Sequence, residues 1–318
     1  MKAGQLSQSI YERSVRKEFQ REQVSIYKGA EDNCAFLAGL FQTETFALCH
    51  ESVAAMALYM AANALTAKGG KPVGASLSLI LTTRQSESFL KKVIREAAAV
   101  FREYGMCLLT CQAEVIEAVT APMAVVTVMG EEHKPQMLSG FVRAGQDVVM
   151  SKSLALGATA VLADVKEEDI LARYSRHLLE QARSVKKQLN VTTEAALAEK
   201  SGVSAMCHVN KGGVFGALWE MADRAGIGLD IDLKAIPVKQ ETIEISEIYD
   251  VNPYEMLGTG SLLMIADDGH ELARTLQAQG IMAAVIGKTT DGNDRVIRNE
   301  GESRFLEPVK PDELLKVL

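Results

Sequence analysis

No run of about 18 uncharged apolar residues occurs in this 318-residue sequence, so no membrane-spanning helix is expected. The opening stretch, MKAGQLSQSIYERSVRKEF, lacks the apolar core of a secretion signal, and a cytoplasmic location is the expectation. Basic residues are in the minority: 34 Lys and Arg stand against 41 Asp and Glu, a formal net charge of −7. That balance argues against a general nucleic-acid binder. Repeats at solenoid period and low-complexity tracts are missing. Cysteine is sparse and odd in number: Cys34, Cys49, Cys107, Cys111 and Cys207 sit in apolar sequence and read as buried thiols. Cys107 and Cys111, in MCLLTC, would share one face of a strand while standing far apart along it. A zinc site needs further ligands at suitable spacing, and the five histidines form no such cluster.

Apolar residues make up 47% and charged residues 24%, the balance of a globular protein, and the length makes two domains the natural expectation. The pattern reads as two α/β halves. In the first, helices are predicted over 11–22, 52–68 and 87–104, with strands over 45–49, 75–83, 106–111 and 123–129. The polar stretch 131–145 carries proline and glycine and places the boundary at 138/139, giving domains 1–138 and 139–318. The second half opens on a strand at 147–150. Helices follow over 154–162, 168–188, 193–200, 241–249 and 269–279, with strands over 261–266 and 283–289 and another starting at Arg295 after the DGND turn.

The densest signal is MCHVNKGGVFGALWEMADRAGIGLDIDLKAIPVKQETIEI, residues 206–245. Val214, Leu218, Met221, Ala222 and Ala225 recur at three- and four-residue steps, with Glu220, Asp223 and Arg224 on the other side, which is an amphipathic helix. Trp219, the only tryptophan, lies one step off that stripe and is expected half-buried at the edge of the core. Gly226 reads as the C-cap. Leu229, Ile231 and Leu233 then alternate with Asp230 and Asp232 as a strand. Gly212 and Gly213 fall where the helix begins. A glycine pair there lets an anion approach free backbone N–H groups. On the glycines alone, a tight turn needing positive φ is the commoner explanation.

The segment 206–245 closely resembles the signature of the AIR-synthase-like family, which includes aminoimidazole ribonucleotide synthase, thiamine-monophosphate kinase, selenophosphate synthetase and the HypE-type hydrogenase maturation factor. Further matches follow in order: KGAEDNCAFL (28–37), KPVGASLSLIL (71–81), AEVIEAVTAPMAVVTVMG (113–130), SKSLALGATAVLA (151–163), IYDVNPYEMLGTGSLLMIADD (248–268) and MAAVIGKTTDGNDRVI (282–297). FGALWEMA and the ending FLEPVKPDELLKVL look most like the HypE-related branch. The resemblance implies an α/β (α+β) fold of two domains: an N-terminal mixed-sheet domain that pairs into a dimer barrel, and a C-terminal α/β domain. It further implies a homodimer, a maturation-protein partner, and a small anion or nucleotide in the inter-domain cleft.

The family moves phosphate from ATP with Mg2+ held by carboxylates, since hard magnesium takes oxygen ligands. The resemblance carries Glu31 and Asp32 over directly, with Asp32 the candidate metal ligand, and sets Glu51 where an aspartate is expected. Its asparagine–aspartate pair becomes Asn63-Ala64, its glycine-rich turn becomes Thr110-Cys111-Gln112-Ala113, and its acidic run becomes His208-Val209-Asn210-Lys211. Lys152 stands at its threonine/serine–lysine strand end. The candidate nucleotide- or anion-binding set is therefore Glu31, Asp32, Glu51, Asn63, Lys152, His208, Asn210, Lys211, Gly212 and Gly213, with no catalytic residue assigned. Loss of several magnesium carboxylates implies lost or weakened Mg-ATP chemistry and a binding or partner role. Lys211 and the helix start would then favour a small anion without metal. The alternative is an active ATP-dependent enzyme of the AIR-synthase/HypE type with rearranged ligands, activating an amide or thiocarboxamide. HypE-type cyanide chemistry implies a cysteine near the C-terminus; the last cysteine here is Cys207, so that chemistry is not expected in cis.

Overall fold

The structure, a computed structural model, describes residues 34–36, 39–132, 142–308 and 310–318. The predicted helix over 11–22, the candidates Glu31 and Asp32, and the expected boundary at 138/139 lie outside the described residues. Contacts divide the chain into two compact units, 1–65 with 70–133 and 66–69 with 134–318.

In the first unit, β1 (Cys34–Phe36), β2 (Leu40–Ala47), β3 (Gly70–Leu81), β4 (Cys107–Val115) and β5 (Met123–Glu132) form one mixed sheet in the order β1-β2-β5-β3-β4. Helix α1 (Val53–Ala67) is alanine- and methionine-rich and buried over nearly its whole length. Helix α2 (Glu87–Tyr104) keeps the predicted limits because its caps are local. The Ser86 side chain accepts from Phe89 N, and Gly105 closes the far end in the left-handed region, while Val93, Ala97 and Val100 are buried. This helix makes the crossover that lets β4 run parallel to β3. Strand β2 lies earlier than the 45–49 expected, since the inward alternation starts at Gln42 and runs through Glu44 to Phe46.

The buried-thiol expectation fails at three positions. Cys49, Cys107 and Cys111 are exposed, and Cys207 is half-buried. Strand β4 is the edge of its sheet and is exposed along its whole length, so its apolar spelling marks a surface and not a core. Cys49 lies in the loop after β2.

In the second unit, β6 (Asp147–Ser151), β7 (Ala205–Val209), β8 (Gly228–Asp232), β9 (Ser261–Ala266), β10 (Ala283–Thr290), β11 (Arg295–Asn299) and β12 (Glu302–Phe305) form a sheet in the order β12-β11-β8-β10-β6-β9-β7. Strands β6 and β9 are buried at every position, and their near-continuous apolar spelling reflects cover on both faces. Around the sheet run α3 (Leu156–Val165), α4 (Glu167–Leu171), α5 (Arg176–Ser184), α6 (Thr192–Lys200), α7 (Gly213–Ala225), α8 (Gln240–Ile248) and α9 (Gly269–Ala278). The single helix expected over 168–188 is broken. Ser175 caps α5 by accepting from Leu178 N, and a 3-10 turn (Val185–Gln188) follows. Strand β12 was not expected, because ESRF is exposed throughout and carries no alternation. Its hairpin has a readable cause: Glu300 (φ 49) and Gly301 (φ 90) make the paired left-handed turn that joins antiparallel strands.

Gly213 (φ 65) opens α7 where backbone presses from outside: a Cβ there would meet Tyr254 O at 2.4 Å and Met256 O at 2.8 Å. Gly226 (φ 62) closes the same helix with nothing within 4 Å of the equivalent position. The two glycines separate backbone strain from steric clash. Gly226→Ala is expected to cost about 1–2 kcal/mol from the left-handed backbone alone. Gly213→Ala adds an overpacking cost of about 1–3 kcal/mol. Urea unfolding of both variants at neutral pH checks the order; equal losses would contradict the close approach.

Candidate functional site

Strand β7 and the turn after it deliver five of the second unit's candidates in sequence order. His208 is buried on the strand, and its Nε2 accepts from Gly260 N at 3.4 Å. Burial, with the Lys152 charge nearby, pushes its pKa down to about 3, so the imidazole is neutral and a hydrogen-bonded part of the core. Asn210 follows the strand. Its carbonyl accepts from Gly213 N and Gly258 N, both at 3.1 Å, and its Oδ1 accepts from Thr259 Oγ1 at 3.3 Å. Gly212 (φ 78) and Gly213 (φ 65) are both left-handed, as the turn reading requires. The Gly212 N–H donates to the Asp312 carboxylate at 2.8 Å. The donor proposed from the sequence for an outside anion is thus held by a carboxyl of the same chain.

Lys152 follows β6 in the left-handed region (φ 55), and Ala155 (φ 52) repeats that backbone three residues later. This double turn sends the lysine inward. Its Nζ donates to Gln188 O at 2.7 Å and Asn190 O at 2.6 Å and pairs with Glu194 of α6, both side chains being buried. Burial raises the Glu194 pKa, and the Lys152 ammonium opposes the rise. Lys152 and His208 are neighbours in this arrangement, the cation disfavouring protonation of the ring.

In the first unit, Asn63 is fully buried on α1 and accepts through Oδ1 from Tyr104 OH of α2. Glu51, just before α1, is half-buried, ion-paired with Lys92 (3.5 Å) and 3.7 Å from His50 Nε2. The described members of the candidate set do not fit magnesium: Glu51 is their one carboxylate, and the rest supply amide, ammonium, imidazole and backbone N–H groups. Two residues that matter here escaped the sequence reading. Glu194 looked like an ordinary acid in the first turn of a helix. Asp312, within PDELLK, carries an N-cap signature that foretells its bond to Leu314 N but not its reach to Gly212.

A mixed five-stranded sheet, a mixed seven-stranded sheet and a strand–diglycine–helix turn define a two-domain α/β protein of the aminoimidazole-ribonucleotide-synthase kind. The sequence matches the AIR synthase related protein family in both parts, the N-terminal domain over residues 27–131 and the C-terminal domain over 143–299, and the chain belongs to that family. It is similar to carbamoyl dehydratase HypE of Rhodobacter capsulatus, 24% identical over 266 residues, 80% of this chain and 76% of that protein. The HypE of Azotobacter vinelandii is 22% identical over 326 residues, covering 99% of this chain and 93% of its own. Among solved structures, Escherichia coli HypE superposes with a TM-score of 0.71 at 20% identity, covering 85% of this chain and 86% of that one. HypE of a HypE–HypF complex gives 0.73 at 15% identity, with coverage of 93% and 99%. These superpositions show the fold.

Removing one member of the buried pair tests its role in holding β6 to α6. Lys152→Met is expected to lower stability by about 3–5 kcal/mol at neutral pH, because Glu194 is left buried without a counter-charge. The loss should shrink on acidification. Glu194 binds its proton more tightly folded than unfolded, so its burden is absent below the unfolded pKa and grows as pH rises through the folded one. Denaturant unfolding at pH 4.5 and pH 7.5 reads both effects, and a double Lys152→Met, Glu194→Leu variant should recover most of the loss.

Proposed function

We propose that this chain is a HypE-like protein of hydrogenase expression and formation in which Mg-ATP chemistry is lost or weakened, acting as a binding or maturation-associated partner subunit. One observation carries the reading: the Asp312 carboxylate occupies the Gly212 N–H, the donor a phosphate oxygen would need at the start of α7. The inward lysine and the buried, hydrogen-bonded His208 and Asn63 support it, since the fold already engages each of them. The maturation setting is drawn from the relatives, which carry the name HypE or hydrogenase expression/formation protein, and from the solved HypE–HypF complex. A cytoplasmic homodimer with domains 1–138 and 139–318 completes the reading. Strand β4 supports the dimer, as an open sheet edge on which Leu108 is 54% and Val115 63% exposed.

The competing reading is an ATP-dependent enzyme, and it draws on the solved HypE in complex with ATP, similar to this chain with a TM-score of 0.66 at 15% identity. Titration with ATP, with and without Mg2+, decides between them. Weak or absent Mg-ATP binding and no Mg-dependent hydrolysis are expected. Turnover near an ordinary enzymatic rate of about 10 per second, abolished by Asp32→Ala, would overturn the proposal. Light scattering at micromolar concentration is expected to give a dimer, and Leu109→Lys on the open edge is expected to shift it toward monomer.

A further inference from the structure

The segment 310–318 holds to the rest of its unit through a few side chains. Asp312 begins a 3-10 turn (Glu313–Lys316) and caps it, its Oδ1 accepting from Leu314 N at 2.9 Å. The same carboxyl also reaches outside its own segment. Oδ2 accepts from Gly212 N at 2.8 Å, and Oδ1 accepts from Leu257 N at 3.2 Å. Glu313 accepts from Asn252 N at 3.4 Å. Two adjacent acids therefore grip both loops that frame the start of α7. Little apolar burial backs them: Leu314 is buried, while Leu315 and Leu318 are 47% and 48% exposed. Beside the grip lies a cavity of about 340 Å³ whose lining includes Gly212, Phe215, Gly216, Arg304 and Lys310.

We infer that segment 310–318 is a detachable strap whose Asp312 carboxyl fills the Gly212 turn, so that the Gly212 N–H is freed only when the strap lifts. The inference rests on the reading of that turn as a filled seat and deepens it by naming what fills and releases it. A segment held by hydrogen bonds, the buried Glu313 and Leu314 and the half-buried Val317 belongs to the low-stability end of a fold, where local opening precedes global unfolding.

Docking is linked to protons. The charged groups on the elements packed around Asp312 are Lys211 on the turn, Glu255 on the facing loop, and Glu307, Lys310, Glu313 and Lys316 on its own stretch of chain. Lys310 pairs with Glu307 and Lys316 with Glu313, and Lys211 is the cation whose field reaches Asp312. Burial pushes the Asp312 pKa up to about 6 against the three N–H bonds and Lys211, all of which pull it down. A carboxyl with a raised pKa in the docked state binds its proton more tightly there than when released. Docking is therefore strongest below the free value of 3.8 and loosens as pH rises through about 6. The shift corresponds to a change of roughly a hundredfold in the docking equilibrium.

Amide hydrogen exchange on the full chain tests the strap, with rates corrected for intrinsic pH dependence and referenced to amides of β9. In the wild type, protection at Gly212, Leu257 and Leu314 is expected to fall between pH 4.5 and pH 8 by up to about a hundredfold relative to β9. In Asp312→Asn the dependence should vanish, with Gly212 protected at both pH values, because the neutral amide oxygen stands in for the protonated carboxyl. Exchange of the three amides in step with β9 at every pH overturns the strap, because nothing then opens locally. An unchanged pH dependence in Asp312→Asn overturns it as well. Neither readout involves ATP, so Mg-ATP turnover by the wild type would sink the functional reading and leave this measurement standing on its own.

Discussion

The second unit is organised around a contact between two stretches of backbone. The carbonyls of Tyr254 and Met256 press so closely on the first residue of α7 that only glycine fits at position 213. That contact lies where the helix leaves β7. It also brings Asn210 within reach of Gly258 and Thr259, and Phe215 onto the Tyr254 ring, stacked at 5.0 Å between centroids. Asp312 then closes the same junction from a third direction. Strand end, helix start, facing loop and strap form one hydrogen-bonded knot, and its parts stand far apart in the sequence.

The same junction marks where the sequence was legible. Helices with a clear apolar stripe were placed well: α2, whose limits the Ser86 and Gly105 caps explain, and α7, which also carried its glycines. Strand β9 was found because a buried apolar run between polar turns has few other uses. The positive φ of Gly212 and Gly213 and the half-buried Trp219 followed from local chemistry too. Legibility ended where partners are distant. Whether MCLLTC is core or edge depends on what covers its strand, which no local pattern encodes. The reach of Asp312 to Gly212 spans a hundred positions, and the capping signal in PDELLK accounts for only one of its three bonds. Strand β12 was missed because its pairing is driven by a turn, with no apolar face to announce it.

Charge burial supplies the second theme. Lys152, Glu194 and His208 put an ammonium, a carboxyl and a neutral imidazole into one low-dielectric region. Two residues that are not glycine, Lys152 and Ala155, hold left-handed backbone to make this possible, a conformation that costs about 1–2 kcal/mol for each. The carbonyls of Gln188 and Asn190 repay part of that by completing the ammonium's hydrogen bonds. A lysine that looks like a phosphate ligand in one dimension is a structural tie between β6 and α6 in three.

Trp219 is the one indole in the chain, and it lies in the second unit with the Arg295 guanidinium 3.9 Å from its ring centre. The intrinsic emission of this protein is therefore a regional signal. It follows the junction of α7 with β11 and is silent about the first unit. A smooth fluorescence transition would describe the melting of one unit, while circular dichroism weighs the helices of both. If the two units lose structure separately, the two spectroscopies must disagree, and the gap between their midpoints measures how independently the halves of the chain are stabilised.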